Sequence, residues 1–257
     1  MAALRRPPLR SLLMRLAVVA AAAVVIAGLV WATHAPAVRQ LVPLPTAEAI
    51  GPGVGIKVGF ADGSETTGCT AGFLVHTDTG QPGLLSAGHC NKPGGPGAVS
   101  VRHGGIYPTV GTFTETRYSG SDWDHVDIGL ITLDDPDKIP LTPQVDGRAV
   151  AGLAGRVAIG DTLCHLGIRS GEPVCGPVTR GDDNKVRFAA TDNCGDSGGP
   201  VYRVRPDGAV DAVGVLLGAA DGADPAQTCA AANEYSVAQL IKPWLTAWEL
   251  TLVTAAP

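Results

Sequence analysis

The stretch Cys194-Gly195-Asp196-Ser197-Gly198-Gly199-Pro200 is the feature from which the rest of this 257-residue chain is interpreted. Three glycines surround a single serine, so the backbone and the hydroxyl of Ser197 are open to an approaching substrate. A serine in this setting is predicted to be a nucleophile. Because a serine hydroxyl is weakly nucleophilic until a neighbouring base takes its proton, the chain should also supply a histidine and a buried carboxylate.

Both partners are found upstream of the serine. Leu85-Ser86-Ala87-Gly88-His89-Cys90 is a β-like run that ends in a histidine beside a cysteine, and a disulfide at Cys90 would hold that histidine rigidly. Asp127 follows within an apolar run, where a carboxylate needs a partner such as an imidazole N–H group. The chain therefore presents a candidate base, a candidate orienting acid and a candidate nucleophile in the order His89, Asp127, Ser197.

Each of these residues also has an ordinary structural explanation. A single histidine in a β protein is most often a satisfied core or surface residue, and an aspartate after apolar residues usually caps a turn. A glycine-rich hairpin turn would explain the glycines near Ser197, but it would not require Asp196 between Gly195 and Ser197. The occurrence of all three segments in this order favours the catalytic interpretation.

Composition and charge narrow the class of protein. The 34 glycines, 20 prolines and few aromatic residues suit short strands joined by tight turns, and 45% hydrophobic residues suffice for a folded core. Four of the 19 basic residues and none of the 24 acidic residues lie in the first 37 positions, so the remainder carries a net charge of −9. Such an acidic domain argues against sequence-independent binding to nucleic acid, which needs a basic face.

The N-terminal region is predicted to direct the chain across a membrane. An apolar run over residues 16–32 follows Arg15, and Ala35-Pro36-Ala37 offers a site for signal peptidase. Residues 1–37 are therefore interpreted as a signal peptide or as an N-terminal membrane anchor, which leaves the protein either secreted or attached to the outer face of the cytoplasmic membrane. Residues 38–55, rich in proline and glycine, are predicted to be a surface linker or short pro-segment before a domain over residues 56–257.

Short runs of β-forming residues recur between turn signals in both halves of this domain. They predict one set of strands over residues 56–134 and a second over residues 144–240, joined by the Pro-rich, acidic stretch Asp134–Pro143. Arg156–Ile159 is one of the predicted strands of the second half. Helical spacing over residues 243–250 predicts a short C-terminal helix with Trp244 and Trp248 on one face.

Six cysteines lie in the part of the chain that is predicted to be exported, where thiols oxidise, and this favours three disulfides. Six cysteines allow about 15 pairings in principle, and the sequence alone does not choose among them. Pairing of nearest neighbours is the simplest set: Cys69 with Cys90, Cys164 with Cys175, and Cys194 with Cys229. A metal site is not expected, because no CxxC pair occurs and the histidines show no matching spacing.

The segments SAGHC at 86–90, DIGL at 127–130 and GDSGGP at 195–200 together resemble those of chymotrypsin-fold, trypsin-like serine proteases. The second half, with Cys164, Cys175 and the run Gly176-Pro177-Val178-Thr179, is similar to the bacterial streptogrisin-like branch. The resemblance extends over roughly residues 56–250. It implies an all-β fold of two antiparallel six-stranded β-barrels with a short C-terminal helix, and an active site in the cleft between the barrels.

The same resemblance implies an exported serine endopeptidase. Ser197 would attack a peptide carbonyl and form an acyl-enzyme, with His89 as general base and then general acid and Asp127 orienting the imidazole. The backbone N–H groups of Gly195 and Ser197 would form the oxyanion hole. No cofactor is expected, the partner is a peptide or protein substrate, and the protein is expected to be monomeric.

Two departures from the family pattern lie beside the nucleophile. Cys194 directly precedes Gly195, where relatives usually have one or more intervening residues, so the oxyanion loop is short. No new N-terminus of the animal type is evident to pair with Asp196. We therefore expect another cation to do so, with His165 as the first candidate and Arg169 or Arg156 as the others.

The specificity pocket also departs from the pattern. Leu217 stands where relatives place a hydroxyl that helps to hold the catalytic aspartate, and Ala219 follows on the same pocket wall. Asp192 lies two residues before Cys194, where trypsin-like members bind Arg or Lys side chains, although a loop aspartate facing water is the alternative explanation. These departures leave open a second function, a catalytically weak or inactive protease-like binding module. A metal cluster at Asp122, Asp124 and His125 is disfavoured relative to a solvated acidic loop.

Overall fold

The computed structural model describes residues 43–65, 68–91, 95–120, 122–135, 138–218 and 234–255. The first half contains seven strands: β1 Gly55–Gly59, β2 Cys69–Thr70, β3 Leu74–His76, β4 Pro82–Ser86, β5 Ala98–Val101, β6 Thr109–Tyr118 and β7 Asp127–Leu133. A short 3-10 helix, Gly88–Cys90, lies between β4 and β5. The second half contributes β8 Gln144–Val145, β9 Arg148–Leu153, β10 Thr162–His165, β11 Val174–Gly181, β12 Lys185–Phe188, β13 Pro200–Val204, β14 Val210–Gly218 and β15 Ser236–Leu240. The helix α1, Lys242–Ala247, and the strand β16, Thr251–Leu252, complete the described chain.

The first sheet has the strand order β16-β3-β4-β7-β6-β5-β1-β2. The strands β2 and β3 lie near its two ends although they belong to one run of chain, residues 69–76, so the sheet curls round on itself. The strand β7 lies in the middle of the sheet between β4 and β6, and its residues are almost all buried. This central position explains why its sequence is a nearly continuous apolar run that begins with Asp127.

The second sheet closes into a barrel. Its order is β13-β10-β11-β12-β15-β14-β9-β8, and a further pairing of β13 with β14 joins the ends of a six-stranded ring. The pairings within that ring are antiparallel, whereas β9 pairs with β14 in parallel outside it. The all-β, two-barrel architecture predicted from the sequence is confirmed.

A shared apolar core joins the two sheets. One group of buried side chains combines residues that flank the predicted site in the first sheet, such as Leu85 and Ile128, with residues of the second sheet such as Tyr202 and Val215. Separate clusters fill the interior of each sheet. Because protein interiors are close-packed, this arrangement fixes the two sheets relative to each other directly beneath the site.

The described part of the predicted linker is not a surface segment. Leu44, Ala47 and Ile50 are buried, and residues 43–257 form one compact unit. Backbone hydrogen bonds tie Ala47 N–H to Arg102 O at 2.8 Å and Ile50 N–H to Pro140 O at 2.7 Å. The prediction failed because apolar residues spaced between prolines carry no regular period, although each one has a place in the core.

Two further predictions differ from the structure. Residues 156–159 form no strand; Ile159 is 75% exposed there. The helix α1 begins one residue earlier and ends three residues earlier than predicted, because Glu249 adopts a positive φ of 53° and turns the chain toward β16. Trp244 and Trp248 do share a face, with ring centroids 5.0 Å apart.

The described residues contain disulfides between Cys69 and Cys90 and between Cys164 and Cys175. The third predicted disulfide remains a prediction because Cys229 lies outside the described residues. The predicted leader over residues 1–37 also lies outside them. Among the described residues, no helix has the length and apolar character required to cross a membrane.

Candidate active site

Three separate segments deliver the predicted triad to the junction of the two barrels. His89 lies in the 3-10 helix that follows β4, Asp127 is the first residue of β7, and Ser197 lies in the turn before β13. The strands β4 and β7 pair directly, with Ser86 opposite Gly129. That pairing brings the ends of both strands together and places His89 beside Asp127.

The contact between His89 and Asp127 is bidentate. The Nδ1 of His89 lies 2.6 Å from Oδ2 of Asp127, and the backbone N–H of His89 donates to Oδ1 at 2.9 Å. Because the carboxylate can only accept, Nδ1 carries the proton and Nε2 is left with its lone pair for a substrate-side proton transfer. The Asp127 side chain is 4% exposed, whereas the His89 side chain is 30% exposed.

The electrostatics of the pair favour a basic imidazole. Burial by itself lowers the pKa of His89, but the negative charge of Asp127 and its hydrogen bond outweigh burial, so the pKa lies above the usual 6.5. The ring of Tyr118 stands edge-on to the His89 ring, with centroids 6.1 Å apart. Burial and the charge of Asp127 raise the pKa of Tyr118, which therefore stays neutral beside the pair.

The loop that carries Ser197 lies against the first barrel next to His89. The backbone N–H of Thr70 donates to the carbonyl of Ser197 at 2.8 Å, and Sγ of Cys90 lies 3.9 Å from the same oxygen. Gly198 has a positive φ of 84°, and a Cβ there would collide with Ser86. In the described part of the chain no hydrogen bond joins the Ser197 hydroxyl to the His89 ring; catalytic contacts of this kind often tighten only when substrate is bound.

The predicted oxyanion donors are available for a ligand. The N–H groups of Gly195 and Ser197 donate to no acceptor within the described ranges, whereas the N–H groups of Asp196 and Gly198 donate to Asn193 O and Leu216 O. Thr70 Oγ1 donates to the carbonyl of Gly195 at 2.7 Å and accepts the N–H of Ile168 at 3.1 Å. This hydroxyl fixes the orientation of the peptide that follows Gly195.

The structure contradicts the prediction that Asp196 is held by a cation. Its Oδ1 accepts the backbone N–H groups of Arg169 at 2.7 Å and Ser170 at 3.0 Å, and its Oδ2 accepts the Ser170 hydroxyl at 2.6 Å and the Asn193 N–H at 3.0 Å. Four donors satisfy the oxygens of this fully buried carboxylate without a positively charged partner. Arg169 thus contributes through its backbone, and no ion pair to Asp196 occurs among the described residues.

The two other candidates for Asp196 lie elsewhere. His165 is fully buried, but its Nε2 donates to the carbonyl of Thr191 at 2.8 Å and its ring stands edge-on to Phe188. Arg156 lines a cavity of about 320 Å³ in the second barrel, together with Asp183 and Lys242. The predicted pairing of His165 with Asp196 is therefore wrong, because His165 uses its donor on a backbone carbonyl.

The residues assigned to the specificity pocket are only partly described. Asp192 is 1% exposed and accepts a hydrogen bond from the Ser236 hydroxyl at 3.0 Å, so it does not face water. Leu217 is half-buried and packs against the apolar clusters of the first sheet and of the junction. Ala219 lies outside the described residues.

The acidic loop and the disulfide beside His89 are the two places in the described structure where possible metal ligands lie near one another. Asp122, Asp124 and His125 do not form a converging ligand set among the described residues, although His125 Nδ1 lies 3.4 Å from Asp122 Oδ2. Cys69, His89 and Cys90 do converge, but the two cysteines are joined in a disulfide and offer no thiolate.

Sequence reasoning missed several supporting residues. Thr70, Ser170 and Gln239 each place a polar atom on the site, and Gln239 Oε1 accepts the backbone N–H of Asp127 at 3.3 Å. These residues lie in segments far from the three motifs in sequence, where an isolated polar residue carries no local pattern. Ser170 alone gave a signal, since it sits between Gly167 and Gly171 in a tight turn.

This double barrel, with its site at the junction, is the chymotrypsin fold in the form found in bacterial serine proteases of the streptogrisin type. Protease A of Thermobifida fusca is 25% identical in sequence, with a TM-score of 0.57 over 80% of this chain and 100% of that chain. The Nocardiopsis protease is 24% identical, with a TM-score of 0.56 over 79% of this chain and 98% of that chain.

Sequence comparison finds relatives that are themselves uncharacterized. An uncharacterized protein of Mycobacterium tuberculosis is 29% identical over 156 residues, which cover 58% of this chain and 66% of that protein. The match thus spans slightly less than two thirds of the relative. No family model matches the chain.

Proposed function

We propose that this chain is a serine endopeptidase that acts through His89, Asp127 and Ser197. The observation that carries the proposal is the 2.6 Å contact between His89 Nδ1 and Asp127, beside a loop whose two oxyanion donors are uncommitted in the described structure. The structural neighbours are serine proteases, which supports a hydrolase of this kind.

The geometry supports a two-step mechanism. His89 Nε2 takes the Ser197 proton as Oγ bonds to the carbonyl carbon, and it then gives that proton to the leaving amine as the C–N bond breaks. Water repeats the sequence on the acyl-enzyme and releases the acid. Asp127 stabilises the imidazolium that forms, and the N–H groups of Gly195 and Ser197 hold the oxyanion, where one such donor contributes of order 3 kcal/mol.

Side-chain preference follows from the pocket residues in this proposal. A buried Asp192 favours Arg or Lys substrates only if its carboxylate exchanges the Ser236 hydroxyl for the substrate cation. The half-buried Leu217 favours small or apolar side chains. Kinetic comparison of substrates that carry Lys, Ala or Leu before the cleaved bond distinguishes these preferences.

Export of the protein is part of the same proposal. Disulfides such as Cys69–Cys90 persist in oxidising compartments, which fits a location outside the cytoplasm. Mass spectrometry of the native N-terminus decides whether the chain is cut after Ala37 or keeps residues 16–32 as an anchor. Size measurement of the same preparation tests the expected monomer.

A fluorophosphonate probe tests the nucleophile. Ser197 Oγ should bond to phosphorus with loss of fluoride, and peptide mapping should find the adduct on Ser197. Labelling should disappear in Ser197→Ala and persist in Ser100→Ala, a matched loss of a hydroxyl on β5. Absence of labelling in folded wild-type protein would contradict the proposal and favour the protease-like binding module.

A further inference from the structure

The loop that precedes Asp127 in the chain belongs to the first barrel and contacts the second barrel. The described residues of this loop are 119, 120 and 122–126, and its Trp123 Nε1 donates to Asp182 Oδ2 at 2.6 Å. The guanidinium of Arg180 lies 3.8 Å from the centroid of the Trp123 ring. Such a cation–π contact, combined with a charged hydrogen bond, favours one fixed arrangement of the loop.

Two fully buried polar residues of the second barrel lie next to this loop. Lys185 on β12 and Gln239 on β15 are partners in the strand register, and neither has exposed surface. The Nζ of Lys185 donates to the carbonyl of Asp122 at 2.9 Å. Gln239 accepts the Asp127 N–H through Oε1 and donates to Asn184 O at 2.9 Å through Nε2.

A buried ammonium group requires negative partners nearby. Burial lowers the pKa of Lys185, and four carboxylates oppose that effect; they are Asp127 on β7, Asp182 in the turn between β11 and β12, and Asp124 and Asp122 in the loop. Asp127 has the strongest of these attractions. Lys185 lies opposite Gln239 in the strand register, and Gln239 contacts the Asp127 backbone, so the ammonium of Lys185 lies on the same face of the sheet as the side chain that holds Asp127.

Asp127 itself has few donors. In the described structure its carboxylate accepts hydrogen bonds only from His89, through the ring Nδ1 and the backbone N–H. Leu217, which the sequence predicts to replace a hydroxyl that holds this carboxylate in related proteases, has a side chain without a donor. A positive charge supplied from another direction would limit how strongly Asp127 raises the pKa of His89.

We propose that Lys185 and Gln239 are positioning residues for Asp127, with Lys185 as a buried counter-charge and Gln239 as the anchor of the Asp127 backbone. This inference rests on the proposed function of the triad. Gln239 contacts Asp127 and Lys185 contacts Asp122, both from the second barrel, so the two residues also couple the orientation of His89 to the docking of the two barrels. Neither residue touches the substrate in this account.

Titration of the His89 imidazole by NMR tests the role of Lys185 without requiring turnover. The spectra are recorded on Ser197→Ala protein, alone and combined with Lys185→Met or Lys185→Gln. Removal of the buried cation should move the His89 midpoint to higher pH, because the imidazolium is no longer repelled by a like charge. Lys185→Gln retains a donor for Asp122 O and serves if the methionine variant fails to fold.

The matched control is Lys138→Met, which changes the net charge equally at a lysine that is 76% exposed and pairs with Asp135. Its His89 midpoint should stay at the wild-type value. An unmoved midpoint in both Lys185 variants, or an equal shift in the control, would overturn the proposal. Gln239→Leu should lower kcat several-fold and leave the midpoint in place, since no charge is lost; an unchanged kcat would remove Gln239 from the proposal.

These outcomes are separable from failure of the proposed function. If folded wild-type protein cleaves nothing and takes up no fluorophosphonate, the triad proposal fails while the titration still reports on Lys185. If the enzyme is active and the midpoint is insensitive to Lys185, only the positioning proposal fails.

Discussion

Ser170 and its neighbours hold the loop that carries Ser197 with neutral donors. Asp196 accepts the Ser170 hydroxyl at 2.6 Å and three backbone N–H groups. No ionisable amine or guanidinium takes part in this contact among the described residues. The proposed oxyanion loop is therefore set by a turn within the second barrel, and its formation does not depend on the titration of a cationic partner.

Loss of the Ser170 hydroxyl should weaken catalysis in a defined way. A hydrogen bond to a charged group contributes about 1.5–3 kcal/mol, so Ser170→Ala is expected to lower kcat by about tenfold to a hundredfold. Ser170→Thr keeps a hydroxyl and should recover most of the loss. Steady-state kinetics on a peptide substrate measure both, and an unchanged kcat in Ser170→Ala would contradict the assigned role.

In the proposed mechanism, protonation of His89 sets the acid limb of the pH–activity profile. Because its pKa is raised above 6.5 by Asp127, kcat/KM should fall as the pH drops through that raised value, where the base becomes protonated. Asp127→Asn removes the negative charge and the charged hydrogen bond that raise the His89 pKa, and it leaves burial, which lowers that pKa. The acid limb of the variant should therefore move to lower pH, and kcat should fall by about 10⁴-fold. An identical limb in the two proteins would show that another group controls the rate.

The same pair has a consequence for stability. A raised pKa in the folded state contributes stability that is fully present below the unfolded pKa of His89 and is lost as the pH rises through the folded value. The difference in free energy of unfolding between wild-type protein and Asp127→Asn should therefore become smaller at alkaline pH. Urea unfolding at several pH values measures this difference.

At the residue scale, the candidate catalytic residues could be predicted because each lies in a short sequence motif. His89, Asp127 and Ser197 lie in recognisable segments, and the structure brings the first two into contact and Ser197 to the same junction. The partner of Asp196 was predicted wrongly because backbone N–H groups leave no trace in side-chain identity. Lys185 and Gln239 were missed because a buried lysine has no sequence signature that separates it from an exposed one.

The segment over residues 43–55 is the element whose role differs most from its sequence-based interpretation. Leu44 and Ile168 both lie over Gly55 and Gly68, and Ile168 also flanks Gly195. Residues 169 and 170, which follow Ile168, supply donors to Asp196. The N-terminal segment is thus packed beside the turn that holds the Ser197 loop.

Leu44→Ala tests that role at the scale of the element. Leu44 is 6% exposed, and truncation of a buried leucine destabilises a protein by about 2–5 kcal/mol. We expect a comparable loss in urea unfolding and a lower kcat, because the neighbouring turn loses support. Glu48→Ala, a substitution at an exposed residue of the same segment, should change neither the free energy of unfolding nor kcat. A stable and fully active Leu44→Ala protein would show that residues 43–55 act only as a linker.

Element boundaries show why local patterns were only partly sufficient. The continuous apolar run over residues 126–133 predicts a buried strand, and β7 spans Asp127–Leu133. Residues 156–159 are also mostly apolar, but they pair with no strand among the described residues. Whether a short run becomes a strand depends on its partners, and partner choice is a property of the whole fold.

At the scale of the whole molecule, the proposed chemistry depends on how the two barrels meet. His89 and Asp127 come from the first barrel and Ser197 from the second, while Thr70 and Gln239 each bridge the junction through hydrogen bonds. The two-barrel fold could be predicted because the three motifs together resemble those of chymotrypsin-fold serine proteases. The contacts across the junction could not be predicted, since they join segments 59 to 125 residues apart whose alignment depends on the packing of both cores.

Digestion of an unfolded protein substrate tests the central claim most directly. Reduced and alkylated casein is incubated with wild-type protein, with Ser197→Ala and with His89→Ala, and the products are sequenced by mass spectrometry. The account predicts cuts at internal peptide bonds by wild-type protein and none above background by either variant. No internal cleavage by folded wild-type protein, or equal cleavage by Ser197→Ala, would contradict it.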